Sequence, residues 1–113
     1  EVSLIIEPDI RQIDASAEIE SDYIEIHTGV FANALSEEEQ FDELDRIRTA
    51  VKHAKKLGLG VNAGHGLDYQ NITIFRELKD VDEVSIGHSI IARSVIVGIE
   101  KAVREMSNLI KFG

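Results

Sequence analysis

Three short segments contain histidine, glutamate and glycine residues whose types and spacing could perform chemistry. The first, Val-Asn-Ala-Gly-His-Gly at 61–66, follows an apolar strand-like run and places two glycines around His65. Glycine lets a backbone approach a ligand closely, and an imidazole, whose ordinary pKa is about 6.5, suits proton transfer at neutral pH. The segment therefore predicts a proton-transferring histidine; the alternative is a turn histidine bonded to nearby backbone.

The second segment, Ser-Ile-Gly-His-Ser at 85–89, lies where the last strand-like run becomes the last helical pattern. Gly87 and the backbone amides of His88 and Ser89 would then form a helix N-terminus, which binds phosphate well. Barrel enzymes commonly bind phosphate with the loops after strands seven and eight, and the first two segments would be those loops. The alternative is that His88 or Ser89 only caps the helix.

The third segment, Tyr-Ile-Glu-Ile-His-Thr-Gly at 23–29, places Glu25 and His27 on one strand face, where they could interact. A carboxylate inside a barrel is costly unless it is paired or functional, so Glu25 is a candidate catalytic group. The alternative is a structural ion pair with an arginine of other strands. His27, His65 and His88 could approach one another, but no HxH or HExxH spacing occurs and we expect no metal site.

Alternating strand-like and helical patterns would position these segments. Strands are predicted at 2–6, 23–27, 59–63 and 84–87, and helices at about 8–19, 36–58, 71–78 and 89–110. The second helix starts with a capping box of Ser36 and Glu39 and ends at Gly58. The side chains expected to face the core are Ile10, Ile13 and Ala17, then Phe41, Leu44, Ile47, Val51 and Ala54, then Ile72, Phe75 and Leu78, then Ile91, Val95, Ile99, Val103, Met106 and Ile110.

The order βαβαβαβα predicts an α/β protein with a parallel sheet. Each predicted strand has one apolar face and one mixed or polar face, whereas a doubly wound sheet needs two apolar faces. A barrel wall has helices outside only and carries polar groups inside. The alternative is a sheet with one solvated face. We therefore expect half of a (β/α)8 TIM barrel, because a whole one has about 250 residues. An N-terminal half or a second copy would cover the two outer edges.

Composition limits the partners. The chain has 113 residues, a net charge of −9 and no cysteine, which excludes disulfides and thiolate metal sites. An acidic surface repels nucleic acid, although a local site can still hold a small anion. No apolar run approaches the roughly 20 residues of a membrane helix, and no signal-peptide pattern is visible, so we expect a cytoplasmic protein.

Together, the order and spacing of the three segments closely resemble the C-terminal half of the pyridoxine 5′-phosphate synthase family, over essentially the whole chain. The resemblance implies that residues 1–113 are strands five to eight of a TIM barrel whose N-terminal half lies outside the chain. It implies condensation of 1-deoxy-D-xylulose 5-phosphate with 3-amino-2-oxopropyl phosphate, without a metal or organic cofactor. The products are pyridoxine 5′-phosphate, phosphate and water.

By the matching segments, His65 would be the proton donor, Gly66 would contact the aminoketone phosphate, Gly87 and His88 would bind its phosphate, and Glu25 would stabilise a transition state. The family assembles as homo-oligomers. It also uses a histidine and a glutamate on earlier strands, so we expect these 113 residues alone to be inactive. The alternative is a non-catalytic phosphate-binding half-barrel that self-associates. A Schiff-base aldolase is disfavoured because no lysine falls on a predicted inner strand face.

Overall fold

The chain forms a four-stranded parallel sheet with helices against one face. The computed structural model describes residues 2–111. The strands are β1 (Ser3–Ile6), β2 (Tyr23–His27), β3 (Gly60–Gly64) and β4 (Glu83–Ser85), and their spatial order is their order in the chain. Every neighbouring pair is parallel. This is the architecture of half a (β/α)8 TIM barrel, and it confirms the predicted fold class.

The helices confirm the predicted alternation, although their number is higher than expected. They are α1 (Ile10–Glu18), α2 (Gly29–Ala32), α3 (Glu37–Lys56), α4 (Ile72–Phe75), α5 (His88–Val97) and α6 (Ile99–Lys111). The four-residue α2, directly after β2, was not predicted. The third predicted helix, over 71–78, was too long, because only the four residues of α4 are helical in that range. Leu78 is buried as predicted, but it lies after the end of α4.

Helix α3 begins and ends as its sequence predicts. The Ser36 hydroxyl accepts a hydrogen bond from the Glu39 amide at 3.2 Å, and the Glu39 carboxylate accepts one from the Leu35 amide at 3.0 Å. These bonds satisfy two amides near the start of the helix. Gly58 follows the C-cap residue Leu57 with φ +79°, a conformation that glycine adopts without strain.

The core lies between the apolar sheet face and helices α1, α3, α4 and α6. The sheet contributes four fully buried side chains, those of Ile24, Ile26, Val61 and Ala63. Burial of a valine or isoleucine side chain stabilises a fold by about 1.5–3 kcal/mol. The helices contribute buried side chains at Ile13, Leu44, Ile47, Ala50, Val51, Ala54, Ile72, Phe75, Ala102 and Met106.

In α1 and α3, two residues predicted to face the core do not. Phe41 is 51% exposed. At 3.6 residues per turn it lies about 120° from the centre of the buried arc of α3, and Ala50 and Glu43 occupy that arc instead. Ile10 is also exposed, because it is the first residue of α1.

The prediction of a single last helix over 89–110 was wrong, because the structure has two helices, α5 and α6, in this region. The chain breaks at Gly98, which has φ +87° and ψ 153°, and α5 and α6 lie side by side. Arg93 donates to the Glu105 carboxylate at 3.1 Å, whereas twelve residues of continuous helix would separate them by about 18 Å.

The break also changes which apolar side chains are buried in this region. Met106 is buried and Ile110 half-buried as expected, but the other four side chains predicted to face inward are exposed: Ile91, Val95, Ile99 and Val103. Within residues 2–111, no helix is both long enough and apolar enough to cross a membrane.

Candidate active site

One cavity at the carboxyl ends of β3 and β4 brings together four of the five predicted site residues. It has a volume of about 900 Å³, and His65, Gly66, Gly87 and His88 line it with Ser85. In a parallel sheet the carboxyl ends of neighbouring strands meet at one edge, which is where barrel enzymes build their active sites.

The fifth residue, Glu25, reaches this cavity through Ser85. The Ser85 hydroxyl donates to the Glu25 carboxylate at 3.1 Å, across the intervening strand β3. Gly64 is paired with Ser85 in the sheet and leaves room for this contact, since a Cβ there would lie 3.5 Å from Glu25 Oε2 and 3.1 Å from Ser85 Cβ. The sequence left open an interaction between Glu25 and His27, and the hydrogen bond to the Glu25 carboxylate within residues 2–111 comes from Ser85 on β4.

His65 has an unusual backbone conformation, with φ +91°. Such a conformation in a residue other than glycine costs about 1–3 kcal/mol and persists only where surrounding structure holds it. Here Thr28, which is fully buried, holds it: its Oγ1 lies 2.7 Å from both the Gly64 and the His65 carbonyl oxygens. The Thr28 amide also donates to the Gly64 carbonyl at 2.8 Å.

The imidazole of His65 stacks on that of His27. The ring centroids are 4.3 Å apart and the ring planes differ by 24°. The Gly29 amide donates to His27 Nδ1 at 3.2 Å, so a neutral His27 carries its hydrogen on Nε2. A side chain at residue 29 would prevent the stack, because its Cβ would lie 2.6 Å from His27 Cε1 and 3.1 Å from His65 Cδ2.

The first turn of α5 faces the same cavity. The Ile91 amide donates to the Gly87 carbonyl at 3.0 Å, so the amides of residues 88–90 precede the first helical bond. Gly87 is the N-cap and has no side chain to cap them, while the Ser89 hydroxyl donates to the Leu67 carbonyl at 3.1 Å. The alternative that His88 or Ser89 caps this helix was therefore wrong.

Gly66 and Gly87 both line the first cavity, but only Gly66 has a structural reason to be glycine within the described residues. Gly66 has φ +78°, and a Cβ there would lie 2.6 Å from the Ala32 Cβ, so the fold itself requires glycine. Gly87 has φ −123°, and no atom of the described residues lies within 4 Å of a Cβ built there. Neither its backbone conformation nor its neighbours within residues 2–111 explain glycine at residue 87.

A second cavity, of about 760 Å³, also has His65 in its lining. His27, Gly29 and His65 line it together with Arg46 and four carboxylates, those of Glu7, Glu39, Asp42 and Glu43. The two cavities differ in charge. The second is lined by four carboxylates, whereas the described residues that line the first include one, that of Asp68. The first cavity, which the start of α5 lines, therefore carries less negative charge than the second.

The groups whose pKa departs from its ordinary value lie outside the two cavities. A hydrogen bond from Lys55 and another from the Val61 amide lower the pKa of Asp82, at the amino end of β4. Burial, with repulsion from Glu105 second, raises the pKa of Tyr69, whose hydroxyl donates to the Ala102 carbonyl at 2.8 Å. Asp82 binds residues of α3 and β3, and Tyr69 binds a residue of α6. Both interactions connect separate parts of the fold and therefore contribute to its stability.

The histidines of the chain do not form a metal site with the described carboxylates. Within residues 2–111, no group of three or more histidine, aspartate or glutamate side chains is arranged to hold a metal ion. His53 lies on α3 and lines neither cavity, and its Nε2 is 2.6 Å from the Asp14 carboxylate.

The sequence matches one protein family over nearly its full length. The family of the pyridoxal phosphate biosynthesis protein PdxJ matches residues 1–112. The chain belongs to the PdxJ family. Curated relatives named pyridoxine 5′-phosphate synthase include those of Geobacter metallireducens, 54% identical over 98% of this chain, and Chlorobium luteolum, 57% identical over 97%. The chain spans about half the length of these relatives, 46% in each case.

Sequence reasoning did not single out Thr28, Gly29 and Ser85 individually in this PdxJ-family chain. All three lie within the quoted segments: Thr28 and Gly29 follow His27, and Ser85 lies on β4, next to the strand that precedes His65. A non-glycine residue between two glycines, as His65 is, was the available signal for an unusual backbone that needs a buried partner.

Proposed function

We propose that this chain forms strands five to eight of a pyridoxine 5′-phosphate synthase barrel. The complete protein would condense 1-deoxy-D-xylulose 5-phosphate with 3-amino-2-oxopropyl phosphate. One observation carries this proposal: His65, Gly66, Gly87 and His88 line a single cavity, and Ser85 in its wall binds Glu25.

His65 is the proton donor in this proposal. Ring closure with loss of water needs repeated proton transfers, and a positioned imidazole contributes to such steps at neutral pH. His65 is exposed to the cavity while its ring and backbone are held by His27 and Thr28. Glu25, oriented by Ser85, stabilises a transition state from the β2 side, because a fixed carboxylate favours positive charge that develops beside it.

The phosphate of 3-amino-2-oxopropyl phosphate binds at the start of α5. The amides of residues 88–90 are directed out of the helix start, which favours an anion. Gly87 has no side chain in front of them, and Gly66 lies opposite in the same cavity. A ligand that needs the space beside Gly87 accounts for a glycine that the described fold does not require.

A complementary N-terminal half completes the barrel in this proposal and supplies the remaining catalytic histidine and glutamate. Two observations support a second half. The edges of β1 and β4 are unpaired within the described sheet. The Oδ1 of Asn62, on the inner face of β3, is buried without a hydrogen-bond donor within residues 2–111, a state that costs about 1–3 kcal/mol. We further propose that the complete protein is a cytoplasmic homo-oligomer and that these 113 residues alone are inactive.

The test uses the full gene product that carries these residues. A denaturing mass spectrum is recorded first, and formation of pyridoxine 5′-phosphate from the two substrates is then measured. His65→Ala should lower turnover by about a hundredfold or more, the contribution typical of a general acid, with KM largely kept. His53→Ala is the matched control, since His53 lies on the outer helix α3, and its turnover should be unchanged. Unchanged turnover in His65→Ala refutes the assigned role.

A second candidate, a non-catalytic phosphate-binding half-barrel that self-associates, is favoured by one observation. Ile5, on the edge strand β1, is 71% exposed, and exposed apolar edges pair with other chains. This candidate predicts a single species of 12.6 kDa, a symmetric homodimer, and weak phosphate binding that is lost in Gly87→Val. A product about twice that mass that forms pyridoxine 5′-phosphate contradicts it.

A further inference from the structure

We infer that Thr28 is a positioning residue that sets the backbone and, through His27, the imidazole of His65. The inference rests on the proposed function for the meaning of its kinetic effect. The placement of His65 by Thr28 can be measured without any turnover.

Thr28 contacts the carbonyls on both sides of the His65 Cα. The Gly64 carbonyl belongs to the peptide unit that precedes His65, and the His65 carbonyl belongs to the unit that follows it. The rotations of these two units about the His65 Cα are its φ and ψ. Thr28 Oγ1 lies 2.7 Å from both oxygens. Its single hydrogen is shared between them in a three-centre bond, which restrains both rotations.

The position of Thr28 is itself firmly held. Its side chain is fully buried, and its amide donates to the Gly64 carbonyl at 2.8 Å. It directly follows the last residue of β2, whose ladder with β3 ends at the pairing of His27 with Gly64. The hydroxyl therefore acts from a rigid strand end and not from a mobile loop.

The neighbouring residues extend this control to the ring. His27 precedes Thr28 and stacks on His65 at 4.3 Å, and Gly29 follows Thr28 and donates to His27 Nδ1 at 3.2 Å. Residues 27–29 thus hold His65 at its backbone and at one ring face. His65 is otherwise exposed, and it lines both cavities.

The kinetic test compares two Thr28 variants in the full gene product. Thr28→Val keeps the shape but removes the hydroxyl, and we expect kcat to fall about 10- to 100-fold, as displacements of about 1 Å do, with KM changed less than about threefold. Thr28→Ser keeps the hydroxyl and should restore kcat to within about threefold. If Thr28→Val does not fold, Thr28→Ala removes the same donor and carries the same expectation.

Ser16→Ala is the matched control. Ser16 is also buried, and its hydroxyl donates to a backbone carbonyl, that of Gln12 at 2.8 Å, but it lies in α1. We expect this variant to lose stability and keep kcat. A Thr28→Val enzyme with unchanged kcat, or a Thr28→Ser enzyme as slow as Thr28→Val, overturns the inference.

The second readout is the Cε1–H resonance of His65, assigned by its absence in His65→Asn. Stacking on His27 shifts this resonance through the ring current, and we expect the shift to be lost in Thr28→Val but kept in Thr28→Ser and Ser16→Ala. An unmoved resonance in Thr28→Val overturns the inference even if the protein has no synthase activity. If His65→Ala leaves turnover unchanged while the resonance moves as expected, the proposed function fails and the positioning by Thr28 stands.

Discussion

Gly66 and Gly87 line the same cavity, yet replacing each with alanine should damage different properties. At Gly87, φ is −123° and no described atom lies within 4 Å of the added Cβ. The loss of chain entropy in the unfolded state then favours alanine by about 0.4–1 kcal/mol, and the weaker N-cap offsets a similar amount. The free energy of unfolding of Gly87→Ala should therefore stay within about 1 kcal/mol of wild type.

Binding is a different matter, because the new methyl group would occupy space in the cavity that Gly87 lines, where the phosphate is proposed to bind. Losing one hydrogen bond to a charged phosphate costs about 1.5–3 kcal/mol, which corresponds to about 10- to 150-fold weaker binding. We expect this increase in KM for 3-amino-2-oxopropyl phosphate, with KM for the pentulose phosphate much less affected.

Gly66→Ala should instead unfold more easily. Its φ of +78° costs an alanine about 1–2 kcal/mol, and the contact at 2.6 Å with the Ala32 Cβ adds about 1–3 kcal/mol of overpacking. The expected loss of unfolding free energy is thus about 2–5 kcal/mol. Gly58→Ala is the matched control, since Gly58 has φ +79° and no described neighbour within 4 Å. The free energy of unfolding of Gly58→Ala should fall only by the cost of the positive φ, about 1–2 kcal/mol.

Urea denaturation of the three variants and steady-state kinetics with both substrates check these values. A Gly87→Ala enzyme that binds the aminoketone phosphate as tightly as wild type contradicts the first prediction. A Gly66→Ala protein as stable as Gly58→Ala contradicts the second, because the contact with Ala32 would then carry no energy.

Two further predictions concern stability away from the cavities. The pKa of Asp82 is lowered from its ordinary value of 3.8 by Lys55 and by the Val61 amide, so its stabilising contribution is complete above about pH 4 and is lost as the pH falls through its folded pKa. The difference in unfolding free energy between wild type and Asp82→Asn should be constant from about pH 7 to about pH 5 and shrink below about pH 4; a difference that stays the same below pH 4 contradicts this. Gly98→Ala should cost about 1–3 kcal/mol, measured in urea, because φ +87° with ψ 153° suits only glycine; a wild-type midpoint would contradict it.

The strands and the convergence of the site could be predicted because both follow from local pattern. Alternation placed Ile24 and Ile26 opposite Glu25 and His27, and the burial of the two isoleucines confirms it. Parallel strands carry their carboxyl ends to one edge, so His65 and Gly87 had to lie near each other. The capping box at Ser36 likewise needs only residues three positions apart.

What could not be predicted depends on geometry between elements. Gly98 interrupts an apolar pattern that continues on both sides, and one glycine within a helix costs only about 1 kcal/mol, so the sequence alone does not reveal the break. The stack of His27 on His65 depends on the strand register and on the space at Gly29. The bond between Ser85 and Glu25 crosses an intervening strand, which no spacing along the chain indicates.

The identity of chain order and spatial order in the sheet has a consequence for how the chain folds. The pairings that begin at Ser3 with Tyr23 and at Asn62 with Glu83 close loops of about 20 residues, and the pairing of Tyr23 with Gly60 closes one of about 37. The longer loop costs only about 0.5 kcal/mol more in closure entropy. Each strand can therefore dock on the one made before it, in the order in which the ribosome releases them.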